Sequence, residues 1–482
     1  MNVSTSPKFK ENVHGALRDE SLQRALGRLK TGFRDKRLAA INNLPEFEAL
    51  RDQARDIKNH TLENLDHYLL KFEENVKANG GHVHWCADAA EARETVLRIC
   101  RDKDAKSVLK GKSMISEEIG LNDFLEKEDL KVVETDLGEY IIQLRHEPPS
   151  HIIAPAIHVH KEQVADSFRE THKGRDPNRS LAEPRELLDE AREVMREHFF
   201  AADIGITGAN FLIAETGTSV IVTNEGNGDL TQTLSRVHIA IASLEKVVPT
   251  LEDASSILRV LARSATGQEM SSYTTFSTGP RREDDLDGPQ EYHVILLDNG
   301  RSNMLGTEFQ DMLRCIRCAA CMNHCPVYGA VGGHAYGWVY PGPMGSVLTP
   351  SLIGVDEAGH LPNASTFCGK CEEVCPMRIP LPKMMRHWRE REFEKHLSPA
   401  SMRFGIKAWA FLASRPRLYR TATGLAAKVM NKMAGGRGRL AKLPLAGGWT
   451  QIRDLPAPQG QNGKTFKELG AEKQAQKARG SK

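Results

Sequence analysis

The sequence predicts an α/β domain with a mainly parallel sheet, preceded by a helical region and followed by a small cysteine-rich domain and a basic tail. Three observations carry this. Lys8 to Asn75 is charged, has few glycines and repeats apolar residues at three- and four-residue steps, as at Leu22, Leu26, Leu29 and at Leu62, Leu65, Leu69. From about His82, short β-rich runs alternate with helical patterns. Seven of the nine cysteines then fall within the 61 residues from Cys315 to Cys375.

Taken in order, residues 1–75 read as helices, either a bundle packed on the next domain or a docking surface for a partner. Residues 76–300 hold the β-rich runs. These are His82 to Cys86, Ser107 to Lys110, Lys131 to Glu134, His151 to Pro155, Ile204 to Thr207, Ser219 to Thr223, Val237 to Ala242 and Tyr292 to Leu297. Between them lie amphipathic helices. Glu91 to Cys100 places Ala92, Val96 and Ile99 on one face, and isolated Cys86 and Cys100 read as small buried hydrophobes. A capping box at Ser180-x-x-Glu183 is expected to open a helix through Leu187, Leu188, Ala191, Val194 and Met195. Residues 301–395 are the cysteine-rich domain, with a Gly/Pro-rich loop from Gly329 to Gly345 and a charged helix from Lys383 to Lys395. Residues 396–482 are basic and rich in Gly, Ala and Pro, and about the last 25 are expected to be disordered.

Composition narrows the function. The chain has 482 residues, room for about three domains of ~150. A net charge of +2 gives no reason to expect nucleic acid as a partner. No apolar run reaches the ~18 residues of a membrane span, and Met1 to Lys10 lacks the apolar core of a secretory signal. Clustered free thiols suit a reducing compartment, so a cytoplasmic location is expected.

The cysteine spacing is the sharpest signal. Cys315, Cys318, Cys321 and Cys325 form C-x2-C-x2-C-x3-C before Pro326, and Cys368, Cys371 and Cys375 form C-x2-C-x3-C before Pro376. Three cysteines at three-residue steps closed by Cys-Pro fit the two-cluster ferredoxin pattern, and fit zinc ligand pairs poorly. In that pattern the fourth cysteine of each motif binds the other motif's cluster. Cluster one then takes Cys315, Cys318, Cys321 and Cys375, and cluster two takes Cys325, Cys368 and Cys371. The position of the absent eighth cysteine is Ser365. The second cluster is thus either a [4Fe–4S] with a non-cysteine fourth ligand or a [3Fe–4S]. Each Cys-Pro step is expected to stop a helical turn and aim the fourth thiolate at the neighbouring cluster. These paired motifs are the one internal repeat in the sequence.

The α/β region offers weaker signals. Gly205-x-x-Gly208 lacks the full dinucleotide fingerprint, and nothing marks a flavin site. Clusters take one electron at a time, while oxidising an organic substrate releases two, so a partner is expected to supply a two-electron cofactor. The segments Asp203 to Asn210, Ala214 to Thr218 and Thr223 to Asn227 are dense in Gly, Thr, Asn and Glu, and together suggest a cleft with Glu215 and Glu225 as candidate catalytic carboxylates. Taken singly, the same glycines read as tight turns and the glutamates as solvated. Lys110-Gly-Lys112 could bind an anion, although two lysines beside a loop are more often surface charges. His158-x-His160 could ligate a metal, but no third ligand is in view.

The segments VLKGKSMISEE (Val108 to Glu118) and ADIGITGANFLIAETGTSVIVTNE (Ala202 to Glu225), coupled to the cysteine motifs, resemble the lactate utilization protein B family over about residues 10 to 460. The resemblance implies a LUD domain of the sugar-phosphate isomerase and CoA-transferase type, two [4Fe–4S] clusters on the seven cysteines, and a role in oxidising L-lactate to pyruvate. It also implies two partners, a cysteine-rich CCG-domain protein and a smaller LUD-domain protein, with the electron acceptor unidentified. The absent eighth cysteine belongs to the family pattern. Other expectations from the residues are an iron–sulfur subunit serving another 2-hydroxy acid such as glycolate, and a redox- or metabolite-sensing LUD module. The basic tail suggests peripheral contact with a membrane surface or an acidic partner, against the plainer reading of a solvated tail.

Overall fold

In the computed structural model, which describes residues 4–443, 450, 453–458 and 466–480, the central sheet has six parallel strands. They are β1 (His82–Cys86), β2 (Ser107–Gly111), β3 (Lys131–Glu134), β4 (Ile204–Gly208), β7 (Val237–Ser243) and β10 (Glu291–Leu297), in the order β1-β10-β7-β4-β2-β3. Every residue of β4 and β7 is buried, as expected of a parallel strand covered on both faces. A second sheet joins β8 (Val247–Val248), β5 (Phe211–Ile213), β6 (Thr218–Thr223) and β9 (Tyr273–Ser277) in that order, with antiparallel pairing of β5 with β6 and of β6 with β9. The sequence signals for β5, β8 and β9 are weak because these strands are short or carry polar Thr and Ser.

Three local expectations are corrected. His151 to Pro155 is not a strand. The His151 ring accepts hydrogen bonds from the Ile153 and Ala154 N–H groups, and Ser150 N–H closes the loop on Pro155 O. A side chain that satisfies its own backbone removes the need for a ladder. The helix expected from Ser180 begins at Pro184, whose ring fixes the first helical φ. Its capping box is Glu183 with Glu186, and Ser180 Oγ donates to Glu186 at 2.8 Å. Within the expected Gly329 to Gly345 loop, helix Tyr328–Val331 and the start of helix Gly342–Ile353 are formed.

The first 395 residues form one compact unit. Its largest core joins Leu26, Leu29, Phe47 and Leu50 of the N-terminal helices to Phe211 and Val220 of the second sheet and to the buried cluster cysteines. The N-terminal helices as far as Leu62 therefore pack on the cysteine region, while helix Leu65–Ala78 packs on the central sheet. The other unit, His396–Lys482, contains helices Ala400–Ala413, Pro416–Ala434 and Phe466–Gly480. Part of the segment expected to be disordered is thus helical, and the remainder of it lies outside the described residues.

Gly205 and Gly208 have a packing role. A Cβ on Gly205 would lie 1.9 Å from the Thr231 carbonyl oxygen of helix Asn227–Leu234, and one on Gly208 would lie 2.5 Å from the Lys112 carbonyl oxygen. Close approach of helix and loop to β4 explains this glycine pair without a bound phosphate. Gly205→Ala is expected to destabilise the α/β region by about 1–3 kcal/mol. Thermal unfolding would show this, and a wild-type midpoint would contradict the close packing.

Candidate iron–sulfur site and adjoining cavity

The two cysteine motifs share a backbone design. Cys321 lies on the one-turn helix Ala320–Asn323, and Cys371 on the matching helix Lys370–Glu373. Before each helix two residues take positive φ, Arg317 (60°) and Ala319 (61°) in the first motif, Phe367 (54°) and Gly369 (80°) in the second. Left-handed turns at non-glycine residues are strained and persist where the surroundings impose them. Here they wind the two loops alike, and Cys318 and Cys321 of the first and Cys371 of the second turn inward. Position 365 in the second motif corresponds to Cys315 in the first. Ser365 stands there, half-buried, with its hydroxyl accepting from Phe367 N–H at 3.1 Å.

Cys315, Cys318, Cys321 and Cys375 line one small cavity with Ile152, Met344, Met377 and Ile379. Cys325 and Cys371 are buried, and Cys368 is exposed. Burial, followed by the neighbouring Cys375, pushes the Cys318 thiol up to about 12. Burial, followed by Cys325, does the same to Cys371. Cys315, Cys318, Cys321 and Cys375 thus share one cavity, while Cys325 and Cys371 each feel the charge of exposed Cys368. So many buried thiols cannot all ionise unless a cationic core compensates them, which is what an iron–sulfur cluster supplies. Among the described residues no three His, Cys, Asp or Glu side chains converge as ligands of one metal ion. The first set surrounds a cavity, as ligands of a polynuclear cluster do, so the donor set fits the group.

Arginines from the N-terminal helices hold this region. Arg51 donates through Nη2 to the carbonyl oxygens of Cys375 and Glu373, both at 2.7 Å, Arg37 donates to Val374 O at 2.9 Å and Arg34 to Asn323 O at 2.6 Å. Their positive charge offsets thiolate charge nearby. His151 Nε2 donates to Asn323 Oδ1 at 2.8 Å, and burial lowers this imidazole to about 4, so it stays neutral.

A cavity of about 550 Å³ lies at the carboxyl ends of the parallel strands. Lys112 after β2, Asp136 after β3, Asn210 after β4 and Ser243 at the end of β7 line it, in the position where open α/β sheets bind ligands. Arg317 and Cys318 of the first cysteine loop, with Tyr340 before helix Gly342–Ile353, form another part of its wall. Cys318 and Arg317 line both cavities.

The expected site residues divide across the structure. Glu225 lines the large cavity and pairs with Lys112 Nζ at 3.0 Å. Glu215 does not: its carboxylate accepts from Leu251 N–H at 2.7 Å and caps helix Leu251–Ala265. The reading of Lys110 and Lys112 as surface charges is overturned. Lys110 is buried between Glu117 (2.6 Å) and Glu134 (2.7 Å), and Lys112 bridges Asp136 and Glu225. His158 and His160 do not converge. One bonds Glu147 Oε2 at 2.7 Å, and the other bonds Ser21 O at 3.0 Å.

Several residues escaped the sequence reading because nothing local marks them. Arg317 reaches Glu245 at 3.5 Å and stacks on Tyr340 at 4.8 Å, with its Nη1 buried and without an acceptor among the described residues. Lys246 lines the cavity; burial, then the charge of Arg317, lowers it to about 8. Glu139, whose carboxylate accepts from Lys112 N–H at 3.0 Å, is raised well above the carboxylate range by burial and by Glu134 and Asp136. Behind the cavity, Glu118 takes a bidentate contact from Arg301 (2.9 and 2.6 Å) and accepts from Asn299 and Tyr340, each at 2.7 Å. The only early signal was that Glu118 ends the VLKGKSMISEE segment.

Fold and site together define an iron–sulfur protein in which a LUD-type α/β domain opens onto a dicluster region. Residues 69–297 match the LUD domain family, 311–379 the 4Fe-4S dicluster domain, and 382–475 the family described as lactate utilisation protein B, C-terminal. The chain belongs to the lactate utilization protein B family. Proteins of that name from Macrococcus caseolyticus, Bacillus licheniformis and Bacillus subtilis are each 45% identical to it, over 94–95% of this chain and 95% of theirs. No described helix is long and apolar enough to cross a membrane.

Proposed function

We propose that this chain is the iron–sulfur electron-transfer component of a system that oxidises L-lactate to pyruvate, working with a cysteine-rich CCG-domain protein and a smaller LUD-domain protein. Cys315, Cys318, Cys321 and Cys375 would hold one [4Fe–4S] cluster. Cys325, Cys368 and Cys371 would hold a second, its fourth ligand being Ser365 or another group. Bound clusters supply single-electron transfer. The observation that carries the reading is the shared wall: Cys318 faces both the thiol-lined cavity and the ligand-sized cavity of the α/β sheet. The exposed Cys368 supports an exit for electrons at the surface, where Arg389 stacks on Phe367 at 4.1 Å.

Conversion of lactate to pyruvate releases two electrons and two protons, so the relay must run twice per turnover and a partner must hold the electron pair between steps. The test is anaerobic EPR with iron and sulfide analysis, before and after lactate is added with both partners. About eight irons per chain, with reduced signals that grow on adding lactate and not glycolate, is the expected result. Growth with glycolate alone would move the substrate to another 2-hydroxy acid. Clusters indifferent to both acids would overturn the relay and favour a sensing role.

A further inference from the structure

We propose that Arg317 and Lys246, with Asn210, form an anion-binding end of the α/β cavity, and that its ligand is a small monocarboxylate of the 2-hydroxy or 2-oxo acid class. The class of acid rests on the functional reading above; the anion site rests on the cavity itself. Most charge in that cavity is already paired. Lys112 is engaged by Asp136 and Glu225, and Asp136 also caps helix Leu137–Leu144. Three donors lie on the wall. Arg317 Nη1 is buried without an acceptor among the described residues, and Lys246 lines the same wall. Asn210 accepts from Val222 N–H through Oδ1, which leaves its amide nitrogen as a donor.

Buried donors without acceptors are costly, and an entering carboxylate satisfies them with charge-assisted bonds. Glu245 keeps Arg317 in place from behind, since its carboxylate also contacts buried Arg301 at 3.2 Å. The adjoining wall is apolar, with Ile152, Ile153 and Val222, and suits an alkyl group. Because Arg317 lies between Cys315 and Cys318, a carboxylate bound to it sits against the first cysteine loop.

Calorimetry of the full, iron-loaded chain with oxamate, a non-oxidisable 2-oxo acid analogue, tests this against neutral lactamide. Oxamate is expected to bind at least about tenfold tighter than lactamide, and Lys246→Gln to weaken oxamate about tenfold, with iron content unchanged. Asn210→Ala is a second variant, remote from the cysteines in sequence, and is expected to weaken binding to a smaller degree. Equal binding of oxamate and lactamide, or unaltered affinity in both variants, would overturn the proposal. Oxamate binding without lactate-dependent reduction would fail the relay and leave this site standing. Reduction without oxamate binding would fail this site alone.

A second, independent observation concerns the other unit. Helices Ala400–Ala413 and Pro416–Ala434 expose Phe404, Trp409, Phe411, Leu418 and Leu425, and no residue of the first helix is buried. Residues 400–434 carry seven Lys and Arg and no Asp or Glu. Apolar and aromatic side chains interleaved with Lys and Arg, in a stretch that holds no Asp or Glu, match an anionic lipid surface, where rings enter the interface and cations meet phosphates. We infer that this helix pair docks on anionic membranes. Sedimentation of the full chain with vesicles of phosphatidylcholine and phosphatidylglycerol in equal parts, against phosphatidylcholine alone, decides it. Binding to the anionic vesicles alone, weakened by salt and reduced about tenfold or more in F404S/W409S, is expected. Absence of binding, or binding indifferent to lipid charge, would overturn it and leave the face to a protein partner.

Discussion

Cys375→Ala is expected to extinguish the same cluster signal as Cys315→Ala, although the two cysteines belong to different motifs and lie 60 residues apart. Each variant should fall from about eight irons per chain to about four. Cys325→Ala, from the first motif, should instead abolish the signal lost in Cys371→Ala. The physical basis is the chain path. Cys375 lines the cavity of Cys315, Cys318 and Cys321, while Cys325 is placed with Cys368 and Cys371. Iron analysis and EPR of the four variants check this. Pairing of signals by motif, 325 with 315 and 375 with 371, would refute the crossed assignment.

Glu118→Ala is expected to be the most damaging single change outside the cysteines. It would leave Arg301, whose side chain is 2% exposed, facing only Glu245, and would strip partners from Tyr340 and Asn299. Breaking a buried pair by removing one member destabilises by about 3–5 kcal/mol. Glu118→Gln keeps the shape and some hydrogen bonds, and should lie between. Urea unfolding followed by circular dichroism checks this, and a Glu118→Ala midpoint equal to wild type would sink it. The same network gives a pH dependence. Burial alone would raise Glu118 and Glu245, but Arg301 holds both below the ordinary carboxylate range, Glu245 at about 2 with help from Arg317. A depressed folded pKa means that the stabilisation is complete above the unfolded value of about 4.3 and is lost as pH falls toward about 2. Glu118→Gln should flatten that acid limb.

Much was legible in the sequence because the determining physics is local. Thiolate spacing points to cluster chemistry, so an iron–sulfur region between Cys315 and Cys375 could be read without coordinates. Seven of the eight expected strands formed, because a strand buried on both faces must be a continuous apolar run, as Val237–Ser243 shows. The eighth failed for a reason that periodicity does not contain. His151 to Pro155 is apolar enough for a strand, but the His151 ring satisfies its backbone and Asn323 holds the ring.

The charged residues were the least legible. A lysine beside a loop is solvated in most proteins, and only the pairing of β2 with β3 and the return of helix Met114–Glu118 bury Lys110 between two glutamates. Glu215 and Glu225 sit in equally polar, glycine-rich surroundings, yet one caps a helix and the other faces the cavity, a difference set by which end of β6 each adjoins. The sequence by itself determined the cysteine motifs, the position of most strands of the α/β region and the basic, acid-free composition of residues 400–434, since each follows from residue type and spacing. Only the tertiary structure decided that the first cysteine loop walls the α/β cavity. Arg317, Lys246 and Glu118 gain their roles there because charges far apart in the chain are held together in a medium where leaving them unpaired is costly.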